Sequence, residues 1–326
     1  MLRVAMISKW HVHAEGYAKE INSSGDACVS CVWDEIPERG EKWAKDLNVP
    51  FVKGYDELLK RDDVDAVLFC TPTNMHKDLM IKAANAKKHI FTEKVMCLTV
   101  KDCDEVIKAV KENGVIFTIS FPHRITPENL FIKNAIESGM LGKITLFRVR
   151  NCHNGALANW LPDYWYDPET TGGGAMMDLG AHPMYLSRWF LGKPCRIQST
   201  FSFHTGREVD DDAVSVIGFE SGAVAISETS LVSPLTPKMM EVYGTGGVIL
   251  CQGKTLKMKL VGLEAKDNDG WIEPKLPAAD PMPIRQWLNS VLYGAPVKYG
   301  LEEGRQLTEL MENAYKAHEL KKEIQF

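Results

Sequence analysis

From Leu2 to Ile119 the chain alternates short apolar stretches with amphipathic ones, and no other feature restricts the fold as much. The stretches LRVAMI (2–7), ACVSCVW (27–33), PFVK (50–53), DAVLFC (65–70), KHIFT (88–92) and GVIFTIS (114–120) are rich in Val, Ile and Phe and bounded by turn residues. That is the pattern of strands buried on both faces. Between them PERGEKWAKDLN (37–48), MHKDLMIKAANA (75–86) and VKDCDEVIKAVKEN (100–113) repeat apolar residues at helical spacing. A run of βα units of this kind predicts a doubly wound parallel sheet covered by helices on both sides.

After a helix across PENLFIKNAIESGML (127–141) the pattern changes. From Gly142 onward come longer β-prone segments, KITLFRVRNCH, CRIQSTFSFH, AVSVIGFE, GAVAISETSL, MMEVYGT and LKMKLVG, joined by turns such as ESGA and GTGG. They predict a mostly antiparallel sheet. Embedded among them is a helix, AMMDLGAHPMYLSRWFLG (175–192), stopped by Gly192 and Pro194, and two more helices close the chain. The expected organisation is α/β: a doubly wound parallel domain over 1–121, then an α+β domain over 122–326 with a mostly antiparallel sheet. The C-terminal helices have the option of packing back on the first domain.

Composition narrows the partners. With 38 Lys and Arg against 43 Asp and Glu, a net charge of −5, the chain lacks the basic surface that neutralises nucleic-acid phosphates. Its apolar runs are shorter than a membrane span and the N-terminus has no signal-type apolar core, so a cytoplasmic protein is expected. Eight scattered cysteines lack the spacing of a disulfide framework, and Cys28 and Cys31 fall in a predicted strand where residues three apart face opposite ways. No resident metal is expected.

The chemistry starts at the first βα turn, SKWHVHAEG. A dinucleotide fingerprint places glycines there, for the tight turn, the approach of the pyrophosphate and the packing of helix on strand. Here Ser8, Trp10 and His13 occupy those positions. A helix N-terminus still offers N–H groups to an anion, and Ser8, His11 and His13 add side-chain donors. Asp34 ends the second strand, about twenty residues on, where an acid accepts the adenosine ribose hydroxyls and favours NAD over NADP.

Further along, Thr71, Pro72, Asn74 and His76 in TPTNMH and Glu93 and Lys94 in FTEKVM end two strands, at the carboxyl edge where open α/β sheets bind ligands. In TTGGGAMMDLGAHPMYL, Asp178 and His182 stand four apart on one helix face, a pairing in which a carboxylate raises the basicity of an imidazole. The three preceding glycines let backbone approach a ligand.

Four segments together resemble the Gfo/Idh/MocA family, named for glucose–fructose oxidoreductase, inositol dehydrogenase and MocA. They are TPTNMH (71–76), HIFTEKVMCLT (89–99), IESGMLGKI (136–144) and GGGAMMDLGAHPMYLSRWFLG (172–192). The resemblance implies an N-terminal Rossmann domain, a C-terminal domain whose open sheet makes oligomer contacts, and NAD(P)-dependent redox chemistry on sugars and cyclitols. It assigns catalysis to Lys94, Asp178 and His182, with His182 as the main acid/base. The chain departs from the family in its fingerprint, in Val95 where proline is usual, and in Tyr185 where many members have aspartate. His123 and Arg124, with His153, Trp160, Trp165 and Tyr166 on the long segment before the glycines, are candidate contacts to a carbohydrate substrate, since aromatic faces and polar groups suit a sugar ring. A homodimer or homotetramer is expected.

Three other readings stand beside this one. A redox-neutral glycosidase or lyase would oxidise the sugar transiently and retain NAD. A metal-dependent hydrolase would use His11 and His13, which need at least one further ligand. A non-catalytic sugar or nucleotide sensor would keep only the fold.

Overall fold

A computed structural model describes residues 1–263 and 268–326. The chain divides into one unit of Met1–Pro122 with Pro281–Thr308 and another of His123–Asp280 with Glu309–Phe326.

The first unit runs β1 (Leu2–Ile7), α1 (Ala14–Ser23), β2 (Ala27–Trp33), α2 (Pro37–Leu47), α3 (Tyr55–Leu59), β3 (Ala66–Phe69), α4 (His76–Asn85), β4 (His89–Thr92), α5 (Val100–Asn113) and β5 (Phe117–Ile119). All five strands are parallel, in the order β2-β1-β3-β4-β5. The chain steps outward from β1 to β2 and then returns to the other side of β1 for β3. The carboxyl ends of β1 and β3 therefore flank the switch point where such sheets bind ligands. Val4, Met6, Leu68 and Phe91 pack with Tyr17 and Ile21 of α1 and with Trp287 of the helix over 283–293. Helix ends follow local chemistry: Thr99 Oγ1 accepts Asp102 N–H at 3.1 Å to open α5, and Gly114 closes it at φ 64°. The expected strand at 50–53 reduces to one bridge from Phe51 to Val32, and Gly54, still extended, is the N-cap from which α3 begins.

The second unit holds α6 (Pro127–Glu137), β6 (Ile144–Cys152), α7 (Pro168–Thr171), α8 (Ala181–Leu191) and β7 (Pro194–Ser202). Then follow β8 (Asp212–Phe219), β9 (Val224–Ser230), β10 (Met239–Gly244), β11 (Gly247–Gln252) and β12 (Thr255–Leu260). After α9 (Pro283–Tyr293) and α10 (Leu301–Leu320), the short β13 (Ile324–Gln325) completes an eight-stranded sheet ordered β12-β11-β10-β6-β9-β8-β7-β13. Among the described residues of this sheet only β6 and β9 pair in parallel. One face of the sheet packs on α8, where Phe147 meets Phe190 edge-on at 5.2 Å.

The helix expected over 175–192 is not uniform. Met176–Gly180 is a π-helical turn that passes into α8. Pro183 has no N–H to give the Leu179 carbonyl four residues back, and its ring crowds that carbonyl. The Asn151 side chain takes the carbonyl instead, at 3.0 Å. A wider turn at this point sets where Asp178 sits. Two of the preceding glycines make room for the protein itself: a Cβ on Gly174 would lie 2.1 Å from the Asp210 carbonyl oxygen, and one on Gly173 would strike the Tyr315 hydroxyl.

Candidate active site

In the first unit the turn after β1 keeps the shape of a glycine turn without the glycine. Ser8 holds φ at +71°, the left-handed region that glycine enters most easily. Its Oγ accepts Trp10 N–H at 3.0 Å and Arg39 Nη2 at 3.1 Å. Other N–H groups of the turn are engaged inside the unit: Lys9 with Asp34 Oδ2 at 2.9 Å, His11 with the Cys70 carbonyl at 3.0 Å, His13 with His11 Nδ1 at 3.2 Å. Trp10 is buried where the second glycine of a fingerprint would be.

Asp34 lies at the end of β2 as expected, but its carboxylate is already occupied. Arg39 reaches back from α2 to donate Nη2 to Oδ1 at 2.7 Å and Nε to Oδ2 at 2.9 Å, while Ile36 N–H donates to Oδ1 at 2.8 Å. A group approaching this strand end therefore meets an Asp34–Arg39 pair rather than a lone acid.

At the carboxyl edge, Glu93 is buried among donors. His13 Nδ1 lies 2.8 Å from Glu93 Oε1, His11 Nδ1 lies 3.8 Å away, Tyr17 Oη donates to the same oxygen, and Lys94 N–H donates to Oε2 at 3.1 Å. Burial would raise the carboxyl pKa, but His11, His13 and Lys94 outweigh it and hold Glu93 well below the usual carboxylate range. Lys94 is itself buried, at 7% exposure, and the Lys94–Val95 peptide is cis. His76, an expected cofactor contact, braces this segment: Nδ1 faces the carbonyls of Val95 and Met96 at 3.0 and 3.2 Å, and Nε2 faces that of Thr71 at 3.2 Å. Pro72 is buried and Asn74 is exposed on the following turn.

A dinucleotide fits the strand-end side of this frame. Thr71 Oγ1 is buried there with no hydrogen-bond partner among the described residues, a polar atom that a bound group would satisfy. The turn side fits by exchanging bonds it already makes, each worth about 1 kcal/mol net.

In the second unit the chemistry gathers around α8. His182, at 8% exposure, has Nδ1 2.9 Å from Tyr185 Oη, and its ring stacks on that of His123 with centroids 4.1 Å apart and planes 17° from parallel. Tyr185 Oη also accepts His123 N–H at 3.0 Å. On the edge of the other imidazole, Lys238 Nζ lies 3.2 Å from His123 Nδ1. Burial pushes the Lys238 ammonium down to about 8. Asp178 Oδ2 accepts Trp165 Nε1–H at 3.3 Å, which fixes the carboxylate of the π turn.

The remaining predicted contacts separate into support and surface. Arg124 is buried, donates Nη2 to the Tyr185 carbonyl at 3.2 Å and lies over the Trp189 ring, which makes it a brace for α8. His153 Nδ1 accepts Gly155 N–H at 3.0 Å, and Trp160 beside it is exposed. Tyr166 is buried under the Arg207 guanidinium, 3.9 Å from the ring centroid, and its Oη has no partner among the described residues.

Sequence reasoning missed Tyr185 as an anchor, though its place three residues after His182 on one helix is a readable signal. Lys238 had no such signal, since sheet pairing alone brings it to His123.

No helix among the described residues is long and apolar enough to cross a membrane. Residues 4–121 match a family described as an oxidoreductase family with an NAD-binding Rossmann fold, and residues 130–250 match the GFO/IDH/MocA C-terminal domain. The chain is similar to the scyllo-inositol 2-dehydrogenase (NAD(+)) of Bacillus subtilis, at 31% identity over 241 residues that cover 70% of this chain and 67% of that one. It is also similar to the 2,7-anhydro-N-acetylneuraminate hydratase of Escherichia coli, at 33% identity over 153 residues, 47% of this chain and 39% of that one. The matches span 64 to 70% of the length of three curated relatives. Among solved structures, levoglucosan dehydrogenase in complex with NADH and levoglucosan shares the fold, with a TM-score of 0.86 at 19% identity over 99% of each chain. With one match on each unit and the fold shared along the whole length, the chain belongs to the Gfo/Idh/MocA family of NAD-binding oxidoreductases.

Proposed function

We propose that the protein interconverts a hydroxyl and a carbonyl on a sugar, cyclitol or glycoside, with NAD rather than NADP as its partner, and that Lys94, Asp178 and His182 handle the proton. The observation that carries this reading is the anchoring of His182: a buried imidazole with Nδ1 beside Tyr185 Oη and its ring stacked on His123 is held in one orientation, as a general base requires. A bound nicotinamide would supply the acceptor for the hydride of the carbinol carbon.

The protein's part is orientation and charge placement. His182 carries its proton on Nδ1, donated to Tyr185 Oη, and Nε2 accepts the proton of the substrate hydroxyl, work that suits an imidazole near neutral pH. Asp178, held by Trp165, stabilises the imidazolium that forms. Lys94 donates to the reacting oxygen and polarises it. The orphaned Tyr166 hydroxyl and the exposed Trp160 ring supply one hydrogen bond and one apolar face for the carbohydrate.

The likeness to a 2,7-anhydro-N-acetylneuraminate hydratase favours one second reading, a redox-neutral route in which transient oxidation acidifies a neighbouring C–H and eliminates a substituent. Both routes use the same base. A screen of inositols, anhydrosugars and glycosides that follows NADH and product together separates them: net oxidation accumulates NADH with the ketone, and the neutral route forms product at constant NAD. Absence of both activities across the screen refutes the proposal. We further propose a cytoplasmic homo-oligomer assembled through the open sheet, where Val214 and Val216 are 43% and 45% exposed on neighbouring positions of one face.

A further inference from the structure

We propose that His11, His13 and Glu93 form a binding site for one divalent transition-metal ion of the zinc class. His11 and His13 lie on the turn after β1 where a glycine fingerprint would lie, Glu93 follows β4, and the donor atoms of the three all fall within 4.8 Å of one another.

Two imidazoles and a carboxylate are the donor set of a three-ligand zinc centre that keeps a fourth position open. The spacing suits it. Glu93 Oε1 lies 2.8 Å from His13 Nδ1 and 3.8 Å from His11 Nδ1. A tetrahedron built on bonds of about 2.0 Å has edges of roughly 3.3 Å, between these two values. The rings of His11 and His13 lie 4.6 Å apart and tilted by 58°, so they approach Glu93 from different directions.

The surroundings favour an ion as well. Tyr17 Oη donates to Glu93 and is tied in turn to Ser120 Oγ at 2.8 Å, the kind of outer contact that orients a ligating carboxylate. His11 and Glu93 are buried while the His13 side chain is half exposed, which gives an ion a path in from solvent and leaves the open position on the wet side. The hydrogen bond from His13 N–H to His11 Nδ1 is long, at 3.2 Å, and is the one that metal displaces if it binds that nitrogen. Binding also displaces the proton that joins His13 to Glu93, so affinity falls as the solution is acidified.

The test uses the full chain, stripped with a chelator and given zinc chloride or cobalt chloride alone. We expect one equivalent of zinc by elemental analysis after gel filtration, and cobalt absorption of the tetrahedral type. His13→Ala lies at a half-exposed position and leaves the fold intact; it should weaken zinc at least a hundredfold and abolish the cobalt bands, and Glu93→Gln should do the same. Less than a tenth of an equivalent on the wild-type chain overturns the site. So does unchanged zinc affinity in both variants, because the ion would then sit elsewhere, for instance on a cysteine. Neither readout depends on turnover, so the dehydrogenase reading is judged separately.

Discussion

Replacing Tyr185 with phenylalanine isolates the contact on which the proposed base depends. The ring is 1% exposed, so phenylalanine fills the same space and only the hydroxyl is lost. That hydroxyl serves two partners, His182 Nδ1 at 2.9 Å and His123 N–H at 3.0 Å. A buried hydrogen bond contributes about 1 kcal/mol net, and a group stripped of its partner in the interior costs about 1–3 kcal/mol. Tyr185→Phe should therefore destabilise the protein by about 2–3 kcal/mol in urea unfolding. With Nδ1 unanchored, the imidazole samples other orientations and tautomers. The turnover number should fall roughly tenfold to a hundredfold, part of the 10²–10⁴ that a general base supplies. Because the loss arises in the transition state, kcat and kcat/KM should fall together. Unchanged turnover in a variant that is also as stable as wild type would refute the anchoring argument.

Other expectations follow from neighbouring groups. His182→Ala should cut turnover by about a hundredfold or more while dinucleotide binding, measured by calorimetry, stays as in wild type. Lys238 titrates near 8 in the folded protein against an ordinary 10.5. The unfolded chain therefore holds an extra proton between those values, and stability should rise with pH through that window; Lys238→Met should remove the rise in urea titrations. Asp26, which Arg285 and Tyr293 bond, has its pKa lowered to about 2 from 3.8. Its contribution is complete above about pH 4 and disappears as pH falls through about 2; Arg285→Ala should flatten acid unfolding over that interval.

The parts of the fold that were legible share a cause. Parallel strands buried on both faces must be apolar along their length, so β1 to β5 stand out in the sequence, and the glycines, prolines and threonine at helix ends mark where each helix stops. The misread parts depend on contacts at a distance. Pro183 looks tolerable near a helix start, but its effect on the Leu179 carbonyl and the answering Asn151 side chain appear only once β6 lies beside α8. The close approach of Asp210 to Gly174 and of Tyr315 to Gly173 was likewise invisible in the glycine run itself. Asp34 was visible as a strand-end acid, yet nothing in the sequence says that Arg39, five residues on, folds back to occupy it. His182 was singled out by its spacing from Asp178, and the structure sets its Nδ1 beside Tyr185 Oη while Asp178 accepts from Trp165. Lys238 was not singled out, because only the register of β10 against β6 carries its segment to the site.

The most direct test of the central claim is isotope transfer. The protein is incubated with NAD and a panel of inositols and sugars deuterated at their carbinol carbons, and recovered nicotinamide is examined by mass spectrometry. The account predicts deuterium on the nicotinamide for at least one substrate, lost in His182→Ala. A substrate that is consumed while the nicotinamide stays unlabelled in every case, with NAD present or withheld, would contradict it.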